Sequence, residues 1–208
     1  MSDSPLLVLL VFAGALYLAK LWLDDFRAAR TGQPNPKALP GATAAPVAAI
    51  MIGVIGALVL VGVETAGELA LGVSEEQTDI TAIFLLAMIG AGILEEVIFR
   101  GYLVVTGKGR KLLVLSIVGA SLLFALLHYQ YYMEFSMEGT NRQLTILLEG
   151  KPLWSLLLLF LNSLWFYTVR FFKWNPGYSL LPCFAAHIAS NLGVFVVKMV
   201  QGHVTGLY

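Results

Sequence analysis

Charge is scarce in this chain. Only 12% of its 208 residues are charged, acidic and basic residues are equal at 13 each, and the formal net charge is zero. That balance excludes nucleic acid as a partner, which needs a strongly basic surface. Cysteine occurs once, at Cys183, so no disulfide framework can form within the chain. Histidine occurs three times, and no HExxH pattern is present, so the commonest helical signature of a zinc hydrolase is missing. Hydrophobic residues make up 58% of the chain and the mean hydropathy is +0.80, outside the range of soluble domains.

The apolar residues fall into runs of on the order of 20, the length that crosses a bilayer as a helix. Six recur, near 5–23, 45–66, 80–106, 111–131, 152–172 and 178–200. They predict an all-α, polytopic transmembrane helix bundle of about six spans. Its expected division is a two-span N-terminal segment with a Pro-rich loop (1–79), a four-span, four-helix catalytic core (80–200) and a short tail (201–208). The leader Met1 to Ser4 has no positive charge, so the first run reads as a retained helix rather than a signal peptide.

Between the runs, Thr31 to Pro46 carries Pro34, Pro36, Pro40 and Gly41 and reads as a loop. Leu21 to Arg30 mixes charge with apolar residues and is expected along the membrane surface. Val73 to Asp79 is a short acidic connection, and Thr106 to Lys111 a tight basic turn. Tyr131 to Lys151, with Glu134, Glu138, Arg142 and Glu149, is expected to carry a short amphipathic helix. Lys173-Trp174-Asn175-Pro176-Gly177 breaks the chain between the last two spans.

Lysine and arginine gather in the loops after spans one, three and five: Arg27, Arg30 and Lys37, then Lys108, Arg110 and Lys111, then Arg170 and Lys173. The loop after span two has none, and the one after span four sets Arg142 and Lys151 among three glutamates. The positive-inside rule puts the basic loops in the cytoplasm and both termini outside. The expected location is a prokaryotic inner or plasma membrane.

Against this background, Glu95 and Glu96 stand together after the apolar run 83–94. Charge at bilayer depth is expensive and persists where it has a partner or a task. Successive helical residues point about 100° apart, so the two carboxylates are expected to divide. Arg100 lies four residues after Glu96, the favourable ion-pair spacing, which leaves Glu95 to face a cavity. Phe124 and His128 share a face of the fourth span, and His187 and Asn191 share one on the sixth. Alone, His128 beside its tyrosines reads as an interfacial residue, and His187 with Asn191 as an interhelical hydrogen-bonding pair. Together with Glu95 they point to chemistry. A carboxylate in a low-dielectric pocket suits a general base. Glu95 with His128 is placed to deprotonate a water, and His187 with Asn191 to donate hydrogen bonds to the oxyanion that develops.

The pattern Glu95-Glu96-x-x-x-Arg100, Phe124-x-x-x-His128 and His187-x-x-x-Asn191 resembles the three motifs of the CAAX prenyl endopeptidase and bacteriocin-processing family of intramembrane proteases. The lead-in Tyr178-Ser179-Leu180-Leu181-Pro182 is similar as well, and the resemblance covers about 80–195. It implies a glutamate-dependent endopeptidase without cofactor. Glu95 and His128 would activate water, His187 and Asn191 would hold the oxyanion, and Glu96, Arg100 and Phe124 would support them. The implied substrate is a peptide or membrane-anchored protein reached in the lipid bilayer.

Three other readings use the same residues. Glu95, His128 and His187 make a two-histidine, one-carboxylate set for zinc. Cys183, His187 and Asn191 lie at i, i+4 and i+8 and are the residue types of a cysteine protease. A non-catalytic peptide-binding or immunity protein, or a proton-coupled transporter, would also bury glutamate and histidine, although the chain shows no internal repeat for alternating access.

Overall fold

Each apolar run folds into a helix, because backbone N–H and C=O groups in lipid must be satisfied within the segment itself. The computed structural model describes residues 4–138 and 141–208. Its elements are α1 (Pro5–Arg30), α2 (Val47–Leu71), α3 (Phe84–Glu95) continued by a π-helix (Glu96–Tyr102), α4 (Arg110–Leu127), the strands β1 (Met133–Glu138) and β2 (Asn141–Ile146), α5 (Gly150–Phe171) and α6 (Leu181–Val200). Helices α1, α2, α4, α5 and α6 are each long and apolar enough to span a bilayer. The third apolar run is the α3–π segment, where 12 α-helical residues pass into seven of wider pitch. The chain is an integral membrane protein.

Two local expectations are corrected. Leu21 to Arg30 does not lie along the surface as a separate piece but completes α1, with the buried Trp22 donating to the Pro40 carbonyl at 3.1 Å. Asp25 accepts from the Leu39 N–H and the Asn35 amide, both at 2.8 Å, and so ties the end of α1 to its loop. The 131–151 connection carries an antiparallel hairpin instead of an amphipathic helix, paired from Met133–Ile146 to Glu138–Asn141. Its physical reason is visible in Met133-Glu134-Phe135-Ser136-Met137-Glu138, which alternates apolar and polar residues with the period of a strand. The side chains of Glu138 and Arg142, and the hairpin tip at 139–140, lie outside the described residues.

Helix α2 packs most extensively on α6, and α1 on α3. Close approach depends on glycine where bulky rings cross. Side chains at Gly56 and Gly67 would overlap Trp165 and Trp154, which donate to the carbonyls of Gly53 and Glu64. At Gly92 a Cβ would lie 3.0 Å from Ile188 Cγ1, so α3 and α6 meet there almost backbone to backbone. That contact sets the glutamates of α3 against the histidine of α6. The C-terminal tail folds back at the other end of α3, where Ile80 N–H donates to the His203 carbonyl and Thr205 N–H to that of Ile80.

Candidate active site

His187 lies at the centre of the polar cluster, with 6% of its side chain exposed. Its Nδ1 is 2.7 Å from Glu96 Oε1, and its Nε2 is 3.8 Å from Glu95 Oε2. The two glutamates therefore do not divide as their spacing suggests. They reach opposite edges of one imidazole, and Glu96 stands where α3 gives way to the π-helix, a widening common at functional sites. Their surroundings still differ sharply: Glu96 is completely buried, whereas Glu95 keeps 27% of its side chain exposed. At 3.8 Å Glu95 is not hydrogen-bonded to His187, so its carboxylate retains lone pairs for another proton.

Glu96 also pairs with Arg100 at 3.0 Å, as the i,i+4 spacing predicts, and Arg100 is fully buried. A buried guanidinium needs more than one carboxylate to offset its desolvation. Arg100 donates to Ser163 Oγ at 2.8 Å, and Ser163 donates onward to Ser121. Four rings surround it, with Phe124, Phe166, Tyr167 and Phe99 centred 4.7, 5.0, 5.1 and 5.8 Å from the guanidinium carbon. Such ring faces stabilise a desolvated cation. Phe124 does a second task, since its ring also contacts those of His128 at 4.7 Å and His187 at 6.2 Å. Phe166 stacks on His187 at 4.8 Å and fixes its plane.

His128 caps α4. Its Nδ1 is 2.8 Å from the Phe124 carbonyl, which only accepts, so Nδ1 carries the proton and Nε2 keeps its lone pair. Tyr131 stacks beside it at 6.3 Å. Burial of the Tyr131 hydroxyl, with Glu64, Glu95 and Glu68 nearby, pushes its phenol up to about 12, although part of the ring is exposed. Asn191 donates to the Met88 carbonyl at 2.7 Å, which leaves its second amide hydrogen and its oxygen. His128, His187 and Asn191 line one cavity of about 140 Å³.

Some cavity residues had not been singled out from the sequence. Asn162 on α5 lines the cavity, is 92% buried, and its Oδ1 has no partner among the described residues. Glu64 lines it from α2. Neither lies in a spaced motif; Asn162 sits among apolar residues and looks like any polar interruption of a span. Cys183 is fully buried, and its thiol donates to the Phe166 carbonyl at 3.4 Å, away from the cavity wall. Among the described residues, no three His, Cys, Asp or Glu side chains are grouped to hold a metal ion.

Residues 77–193 match the model of the Rce1-like family, described as type II CAAX prenyl endopeptidase Rce1-like. The chain belongs to this family. The matched stretch takes in the α3–π segment, the hairpin and α4 to mid-α6, and so includes Glu95, Glu96, Arg100, Phe124, His128, Asn162, His187 and Asn191. An Rce1-like protein is a protease of the membrane, acting on a peptide or protein substrate. No match was found among curated proteins or solved structures.

Proposed function

We propose that the chain is an intramembrane endopeptidase in which Glu95 activates a water molecule. The observation that carries this is the asymmetric pair of glutamates about His187: one buried and committed to Arg100, the other partly exposed and without a hydrogen bond among the described residues. A water held between Glu95 and the free Nε2 of His128 loses a proton to this pair as its oxygen attacks the scissile carbonyl carbon. The carbonyl oxygen becomes an oxyanion. His187, protonated on both nitrogens, donates Nδ1–H to Glu96 and turns Nε2–H toward that oxyanion. Asn191 supplies its second amide hydrogen. Collapse of the tetrahedral adduct breaks the C–N bond, and the proton taken from water goes to the leaving amine. Asn162 is placed to pair with the substrate backbone, which would satisfy its orphaned oxygen.

The test follows cleavage of a quenched-fluorescence peptide library by the purified protein and by Glu95→Gln, each with and without a chelator. Turnover lost in the variant and indifferent to chelator is the expected result. Chelator-sensitive turnover would instead favour a metal held by Glu95, His128 and His187. Peptide binding without turnover by the wild type would favour the non-catalytic reading.

A further inference from the structure

From the candidate site the cavity extends toward one end of the bundle and not toward the other. From His187 it climbs α6 to Lys198 in that helix's last turn, and on α5 it runs from Phe166 back to Lys151 near the start. At the helical rise those stretches span about 16 and 22 Å. Its upper wall comes from Gln77, Tyr131 and Glu68, on or beside the connections that follow α2 and α4. None of its wall comes from the basic loops.

Below His187 the path closes. Arg100, Ser163 and Ser121 form a fully buried hydrogen-bonded layer. Under it Tyr167 donates to the Phe99 and Leu103 carbonyls at 2.7 and 3.2 Å, and Arg170 to that of Tyr178 at 3.3 Å. These groups stand between the candidate site and the loops that hold most of the lysine and arginine.

The end toward which the cavity extends is charged. Glu68 accepts from Gln77 at 2.7 Å and pairs with Lys151 at 3.0 Å, while Lys198 donates to Gln77 and to the Thr78 carbonyl at 2.8 and 2.7 Å. These polar groups line the cavity wall. The connection after α2, with Glu75, Glu76 and Asp79, carries no lysine or arginine, as loops left outside the cytoplasm tend not to.

We infer that the catalytic cavity opens on the face opposite the basic loops, so that the substrate is an exported peptide or an extracytoplasmic segment of a membrane protein, not a cytoplasmic chain terminus. The inference rests on the proposed protease function for its word substrate. The side on which the cavity opens does not depend on turnover.

Single cysteines in a Cys183→Ala background test it, using the full chain expressed in spheroplasts. Three positions are probed with a small, charged, membrane-impermeant thiol reagent. Glu75→Cys marks the acidic end, Lys108→Cys the basic end, and Ser155→Cys the cavity wall. Labelling of Glu75→Cys and Ser155→Cys in intact spheroplasts, with Lys108→Cys labelled only after permeabilisation, is expected. The reverse pattern overturns the inference, and so does a Ser155→Cys that stays unlabelled from both sides while the end markers react. Thr65→Cys, on the same wall, guards against a Ser155 variant that fails to fold. In sealed right-side-out vesicles, peptide added outside should be cleaved. Correct labelling without such cleavage would indict the protease reading and leave the access side standing.

Discussion

The two ends of α5 and α6 are built from the same kinds of residue and do opposite things. Toward the basic loops, Arg100 is fully buried among serines and aromatic rings, and Arg170 donates to the Tyr178 carbonyl beside a separate cavity whose wall includes neither His187 nor Asn191. Toward the hairpin, Lys151 and Lys198 are also held by carboxylate, amide and carbonyl partners, yet they line a cavity. Buried charge is costly in either place. In one half it holds helices together, and in the other it lines the cavity that reaches His187. His187 stands on the boundary, with the buried Glu96 at its Nδ1 and the partly exposed Glu95 at its Nε2. Removing a group should cost stability below that boundary and turnover above it.

The largest effect is expected at the boundary itself. His187→Ala removes both the proposed oxyanion donor and the Nδ1 partner of Glu96, so turnover should fall by roughly 10³-fold or more, with a lower melting temperature in detergent. Retained turnover would mean the oxyanion is held elsewhere. Below the boundary, Arg100→Met leaves Glu96 short of a cation and should destabilise by about 3–5 kcal/mol, measured as a loss of folded protein on heating. An unchanged melting temperature would break the comparison, because that half would then not depend on its ion pair. Above it, Asn162→Ala should raise KM about tenfold, the loss of one good hydrogen bond, with kcat nearly unchanged. A kcat effect alone would move Asn162 from binding to the chemical step. The smallest effect is expected for Cys183→Ala, which should cost about 1 kcal/mol of packing and leave turnover intact. Lost turnover there would revive the cysteine-protease reading.

Much of this was legible in the amino-acid sequence because membrane helices announce themselves by composition. The number of apolar runs and the Glu96–Arg100 pair follow from length and spacing. Motif spacing also singled out His128, His187 and Asn191, which line one cavity. What stayed hidden depends on how helices meet. The 100° rule set Glu95 and Glu96 apart, but it says nothing of an imidazole wedged between them from another helix. The aromatic cage of Arg100 draws on the π-helix, α4 and α5 together, and no local pattern reports it. Asn162 had no motif to mark it, and its importance rests on burial and an unpaired oxygen. The hairpin was legible in its alternation and was obscured by its charge.

The central claim is that adjacent, chemically identical carboxylates have separate jobs. Glu95→Gln and Glu96→Gln should therefore be compared in parallel for turnover of a cleavable peptide and for melting temperature. For Glu95→Gln a loss of roughly 10²–10⁴ in kcat is expected with the melting temperature of the wild type. For Glu96→Gln the melting temperature should drop clearly. A Glu95→Gln protein that turns over within a few-fold of wild type would contradict the account, whatever Glu96→Gln does.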